Sequence, residues 1–130
     1  MVLVDDSIVR GTTTARLVGA LRRAGAAEVH LRIGSPPIRH ACYLGVDTAE
    51  EDSLVAHGRS VDEIRVRVDA DSLGYLSLAG LARAVRLPGR EMCNACFHGR
   101  YPRPVTESTD KPALDVYPPV ATLMPTPVAA

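Results

Sequence analysis

The sequence predicts an α/β fold built on a parallel sheet, and three observations predict it. Residues 1–4, Met-Val-Leu-Val, are a short apolar run that stops at two acids, Asp5 and Asp6, in the manner of a buried strand. Residues 12–24 carry Leu17, Val18 and Leu21 at helical spacing. Val29, Leu31 and Ile33 then alternate with His30 and Arg32, a second strand. Strand, helix and strand within 34 residues make a crossover unit, the connection that parallel strands require.

The elements follow in order. A buried first strand needs neighbours on both sides and helices on both faces. Thr12 or Thr13 is placed to cap the first helix, and Gly25 ends it. Ser35-Pro36-Pro37 breaks the pattern. Residues 47–56 and 60–68 read as two short helices, the second opened by a capping box of Ser60 and Glu63. Residues 72–78 fit a strand or a turn. Residues 78–85 read as a helix stopped by Pro88-Gly89. Residues 42–79 hold eight acids against three arginines, the composition of a solvated face. Seven of the ten prolines lie from Pro102 to Pro127, and apolar periodicity ends near Tyr101. The expected organisation is therefore a folded part over 1–100 and a Pro-rich tail over 101–130, disordered or draped on a surface.

Composition bounds what these elements do. A chain of 130 residues and 13.9 kDa suits one domain rather than two. Fifteen basic residues balance fifteen acidic ones, which argues for neither nucleic acid nor an acidic partner. Apolar residues make up 46%, enough for a core, but with five aromatics and no tryptophan that core is aliphatic. No apolar run approaches the ~18 residues of a membrane span. The N-terminus lacks the basic and long apolar regions of a signal peptide. Three cysteines are an odd number and not spread as a disulfide framework, so a reducing cytoplasm is expected.

Residues 2–13, Val-Leu-Val-Asp-Asp-Ser-Ile-Val-Arg-Gly-Thr-Thr, carry the most chemistry. Two carboxylates stand at the carboxyl end of a strand, where open α/β sheets bind ligands. A loop with Gly11 and three threonines then runs into a helix N-terminus. Backbone N–H groups, hydroxyls and the helix dipole there favour a phosphate. Carboxylates suit sugar hydroxyls or hydrated Mg²⁺. Together they describe a site for a phosphorylated sugar. Taken singly, each acid and threonine is as well explained by turn and helix capping.

As a string, residues 2–13 resemble the phosphoribosyl pyrophosphate (PRPP) motif of type I phosphoribosyltransferases. The resemblance implies a partial type I phosphoribosyltransferase fold over the folded part. It implies that Asp5 and Asp6 bind the ribose hydroxyls and help place Mg²⁺. Ser7 to Thr13, chiefly Arg10, Gly11, Thr12 and Thr13, would hold the 5′-phosphate. The wording Asp-Asp-Ser-Ile-Val-Arg-Gly-Thr-Thr is similar to the glutamine PRPP amidotransferases in particular.

Cys93-Asn94-Ala95-Cys96 is a C-x-x-C pair, with Cys42 about 50 residues upstream. Spacing leaves four readings open. A redox pair is expected to follow a strand and open a helix. Structural zinc could take Cys42, Cys93, Cys96 and His40 or His98. An iron–sulfur cluster needs four thiolates where this chain has three. Plain free thiols are the fourth reading. His30, His40, His57 and His98 form no metal or catalytic set by spacing and are expected as surface or loop residues.

Residues 35–47, 60–65 and 93–102 also resemble the cluster-binding, Gram-positive type of these amidotransferases, so the resemblance runs over residues 2–102 in the right order. It implies that Cys42, Cys93 and Cys96 are three of four ligands of a [4Fe–4S] cluster, the fourth lying upstream of the acidic motif in the family. It also implies a reaction of two halves. A glutaminase domain with an N-terminal cysteine nucleophile releases ammonia, which attacks C1 of PRPP as pyrophosphate leaves with Mg²⁺. The products are 5-phosphoribosylamine, glutamate and pyrophosphate, the first committed step of purine synthesis. The full-length family enzyme is expected to be a cytoplasmic homo-oligomer. Residue 2 is Val2 rather than cysteine, and the glutaminase domain is absent from these 130 residues. The expectation is a C-terminal fragment, inactive and poorly soluble by itself because half a parallel sheet exposes an apolar edge. A non-catalytic phosphate-binding module and a small zinc protein are the alternatives.

Overall fold

The computed structural model describes residues 1–46, 50–87 and 92–102. Three short strands, β1 (Val2–Asp5), β2 (His30–Ile33) and β3 (Ser72–Tyr75), form a parallel sheet in the order β1-β2-β3. The register sets Leu3 beside Leu31 and Leu31 beside Leu73, and one row later Asp5 beside Ile33 and Ile33 beside Tyr75. Among the described residues four α-helices accompany it: α1 (Thr12–Arg23), α2 (Val61–Arg67), α3 (Leu78–Val85) and α4 (Ala95–His98). The region expected to be helical over 47–56 shows one 3₁₀ turn, Glu51–Ser53; residues 47–49 lie outside the described residues.

One face of the sheet carries the core. Leu31 and Ile33 are buried there with Val18 of α1, Ile64 of α2, and Ile8, Val29, Val55, Ala56, Val68 and Ala70 from the connections. Leu3, Leu73 and Tyr75 of the same face pack against this cluster. The other face is different. Val2 and Val4 are 61% and 73% exposed. In register with them lies a polar strip in which Arg32 and His30 both reach the Ser72 hydroxyl at 3.0 Å. The first strand is therefore an edge strand, bare on one face among the described residues, rather than a buried one. Its apolar run reads the same in either setting, because a strand cannot encode whether its second face is covered.

Local signals explain the helices. The Ser60–Glu63 capping box is present in full: Ser60 Oγ accepts from the Glu63 N–H, and the Glu63 carboxylate accepts from the Ser60 N–H at 2.7 Å. The α3 bounds agree with the sequence reading, with Ser77 as the N-cap and Arg86 ending the helix in a left-handed conformation. Pro88-Gly89 and the Pro-rich stretch from residue 103 lie outside the described residues. Helix α1 departs from expectation at both ends of its apolar face. Val18 is fully buried, but Leu17 is 40% exposed. Neither Thr12 nor Thr13 caps it; the N-cap is Gly11, which has no side chain to accept from the first helical N–H groups.

Residues 72–78, ambiguous in sequence, resolve as a strand followed by the α3 cap because Asp71 fixes where β3 begins. Its carboxylate accepts from the Val29 N–H at 2.7 Å and from Arg22 Nη2 at 2.9 Å. Arg22 also donates to the Asp69 carbonyl at 2.7 Å, tying the end of α1 to the starts of β2 and β3. Most of the acids over 42–79 are solvent-facing, as the composition predicts.

Candidate functional site

The acidic pair sits where β1 ends. Asp5 is half-buried and its carbonyl accepts from the Gly34 N–H at 2.8 Å, which pins the carboxyl ends of β1 and β2 together. Each acid then folds the loop on itself: Asp5 Oδ1 accepts from the Asp6 N–H at 3.0 Å, and Asp6 Oδ1 from the Ser7 N–H at 2.7 Å. The second carboxylate oxygen of each acid is not used in these turns. Ile8 turns inward and is buried, while Arg10, Thr12 and Thr13 stay exposed around it. Val9 accepts from the Val55 N–H at 2.8 Å, so the 55–58 turn clamps the loop from behind.

Gly11 is required twice over. Its φ is +78°, in the region that side chains rarely adopt, and a Cβ there would stand 3.0 Å from Val55 Cγ2. With glycine at the N-cap, no side chain covers the start of α1, and the first turn holds no acid. The first backbone N–H groups of this 12-residue helix and the positive end of its dipole are thus open toward the loop. The structure brings Asp5, Asp6, Ser7, Arg10, Gly11, Thr12 and Thr13 into one continuous loop at the carboxyl edge of the sheet. Thr14 points the other way and is buried.

The cysteines gather at a second place. Cys42 and Cys96 are half-buried and Cys93 is exposed; none is in a disulfide. Burial pushes the Cys96 thiol up, and Cys42 and Cys93 push it further. The segments that bear them are joined by backbone, since the Arg39 and His40 N–H groups both donate to the Cys96 carbonyl, at 2.9 and 3.0 Å. Among the described residues no group of three or more His, Cys, Asp or Glu converges on a metal-ion position. A [4Fe–4S] cluster takes four thiolates; this chain has three cysteines, and the described residues do not bring them together on one metal position. For Mg²⁺, Asp5 and Asp6 offer the hard oxygen donors that this ion prefers.

Two of the other cysteine readings meet obstacles. Among the described residues no strand lies between α3 and the C-x-x-C pair, where a redox pair would have one, although Cys96 lies in the short α4. Both nitrogens of His98 are hydrogen-bonded, Nδ1 accepting from the Arg100 N–H at 3.0 Å and Nε2 pairing with Asn94 Oδ1 at 2.7 Å, while His40, the other histidine of the zinc reading, pairs through Nδ1 with Glu51 at 3.2 Å. Sequence reasoning missed how the remaining histidines sit. His40 and His57 meet edge to face, ring centroids 6.5 Å apart, with Glu51 between them at 3.2 Å from His40 and 3.7 Å from His57. Their separation in sequence gave no periodic signal for this. Also missed were the buried hydroxyls of Ser35 and Tyr75, just beyond β2 and at the end of β3, which have no hydrogen-bond partner among the described residues. Burial pushes the Tyr75 phenol up to about 12.

The fold is α/β, a parallel sheet with flanking helices, with paired acids at the end of its first strand and a glycine N-cap before the helix that follows. Comparison with known proteins shows what this chain is similar to. The chain is 50% identical over 112 residues to the amidophosphoribosyltransferase of Synechococcus elongatus, covering 86% of this chain and 23% of that one. It is 47% identical over 119 residues to the Bacillus subtilis enzyme of the same name, covering 86% and 24%. It is 52% identical over 106 residues to that of Methanocaldococcus jannaschii, covering 81% and 22%. Among solved structures, one described as the allosteric regulatory enzyme of purine biosynthesis superposes with a TM-score of 0.76 at 48% identity, over 84% of this chain and 24% of that one. The B. subtilis glutamine PRPP amidotransferase complexed with ADP and GMP superposes with a TM-score of 0.72 at 46% identity, over 84% and 25%. No protein-family model matches the chain. Over the segment it shares with them, the chain is similar to amidophosphoribosyltransferases, and it spans less than a quarter of the length of these curated relatives.

Proposed function

We propose that this chain supplies the PRPP-binding loop and the cysteine-bearing segment of an amidophosphoribosyltransferase, which makes 5-phosphoribosylamine, glutamate and pyrophosphate from PRPP and glutamine. The observation that carries the reading is the loop of residues 5–13, with its acids at the sheet edge and its uncapped helix start. Asp5 and Asp6 have oxygens suited to the ribose 2′ and 3′ hydroxyls. The N–H groups of the α1 first turn, with Ser7, Arg10, Thr12 and Thr13, suit the 5′-phosphate. Held at both ends, the ribose is oriented for attack at C1, which is where positioning lowers the barrier most. Asp5 and Asp6 would help hold Mg²⁺, which would supply charge neutralisation for the departing pyrophosphate.

In this reading Cys42, Cys93 and Cys96 are three thiolate ligands of a [4Fe–4S] cluster, with the fourth supplied from outside this chain's cysteines. The residues account for a part of the reaction, so transfer requires glutaminase and pyrophosphate-binding segments from further polypeptide. The assembled enzyme is a cytoplasmic homo-oligomer acting on small molecules, with no nucleic acid or membrane partner. Among the described residues no helix is long and apolar enough to cross a membrane.

A graft tests this. Residues 2–102 replace the corresponding segment of the B. subtilis enzyme, and PRPP-dependent pyrophosphate release is measured beside glutamine hydrolysis. The graft is expected to retain both, and Asp6→Asn in it to impair PRPP use while sparing glutamine hydrolysis. Unchanged dependence on PRPP in the Asp6→Asn graft contradicts the assigned role.

A further inference from the structure

The three thiols lie on two stretches of chain more than 50 residues apart, and α4 alone does not fix one against the other. Behind Cys42 the join is made by the Arg39 and His40 N–H groups on the Cys96 carbonyl. In front of it stands Tyr101, five residues past Cys96. Its hydroxyl donates to the Ala41 carbonyl at 2.6 Å. Its ring meets Tyr43 edge to face, centroids 5.2 Å apart and planes at 68°. Tyr101 therefore touches the residues on both sides of Cys42 while belonging to the segment that follows Cys96. We propose that Tyr101 is a positioning residue for the cysteine site, a latch that holds the Cys42 segment against the Cys96 segment before any ligand is bound.

The chemistry of the latch is steady. Burial first, then Tyr43, Glu51, Cys96 and Cys42, push the phenol up to about 12, so it remains a hydrogen-bond donor across the working pH range. The buried side of the arrangement is firm as well. Arg39 Nη1 donates to the Ala56 and Arg59 carbonyls at 3.0 and 2.9 Å, and the Arg39 carbonyl pairs with His57 Nδ1 at 3.1 Å. Residue 39 is thus anchored to the 56–59 turn, and Tyr101 closes the exposed side. Cys93 lies outside the latch and is exposed already, which makes it an internal control. The inference rests on the reading of these cysteines as a ligand set, but the latch itself is measurable without any ligand.

The test is site-resolved alkylation of the full, reduced, metal-free chain by iodoacetamide, followed by mass spectrometry. Tyr101→Phe keeps the ring and loses the hydrogen bond; it is expected to raise the alkylation rates of Cys42 and Cys96 about fivefold, the scale of one hydrogen bond. Tyr101→Ala should raise them further, with Cys93 unchanged in both variants. Unchanged rates at Cys42 and Cys96 in Tyr101→Phe overturn the proposal, and so does an equal rise at all three cysteines, which signals general loosening. Anaerobic loading with iron and sulfide, followed by visible absorbance, is read separately on the graft into the B. subtilis enzyme, where polypeptide upstream of the acidic motif is present to supply the fourth ligand. Failure of that graft to load with the alkylation pattern intact overturns the cluster reading and leaves the latch standing.

Discussion

At the scale of single residues, the site depends on positions that have no chemistry of their own. Gly11 gives the loop its left-handed turn, gives Val55 room to pack, and leaves the α1 N-terminus uncovered. Gly11→Ala forces a side chain into that conformation and against Val55 Cγ2. It is expected to cost about 1–3 kcal/mol of stability, read as a lowered midpoint in chemical denaturation. The glycine was legible in sequence as part of a phosphate-type loop. Val55, 44 residues away, was not, because nothing local marks which residue will close on a turn. The same limit hid Tyr101: a tyrosine before a proline looks like the start of a tail until its hydroxyl is seen on Ala41.

At the scale of elements, two local signals with a fixed sequence offset were read correctly, the threonine cap of α1 was not, and signals that depend on what packs above were not. The Ser60–Glu63 box and α3 belong to the first kind. The misread helix over 47–56 belongs to the second. Leu54, Val55 and Ala56 are all buried, and three successive buried residues do not lie on one face of a helix. They serve a turn that joins the loop after β1 to the core. Asp71 shows how such elements are held in register. The Val29 N–H, and then Arg22, keep its carboxyl below the usual carboxylate range despite partial desolvation. A folded-state pKa below the unfolded value of ~3.9 contributes stability above that value. The contribution is lost as pH falls through the lowered folded value. Asp71→Asn is therefore expected to lower the thermal midpoint at neutral pH and to flatten its fall below pH ~4. A wild-type and variant pair whose midpoints fall in parallel with acid would contradict this linkage.

At the scale of the whole molecule, the parallel crossover topology was legible from the first 34 residues, since apolar runs with a helix between them admit few other arrangements. What covers the second face of the sheet was not legible, and among the described residues Val2 and Val4 lie bare on it beside an unpaired edge. Such an edge favours association between copies. Val2→Lys places a charge on it three residues from Asp5 and is expected to reduce self-association, seen as a smaller rise of light scattering with concentration. A cooperative thermal transition from a soluble wild-type monomer would show that the edge is no liability.

The central claim is that residues 5–13 are a PRPP loop, and the most direct measurement is a titration of the ¹⁵N-labelled full chain with PRPP and Mg²⁺, followed by amide chemical shifts. The account predicts saturable shifts concentrated on the amides of residues 6–13, lost in Asp5→Asn and Asp6→Asn. Saturation without shifts in that loop, or shifts there that persist in both variants, would contradict it.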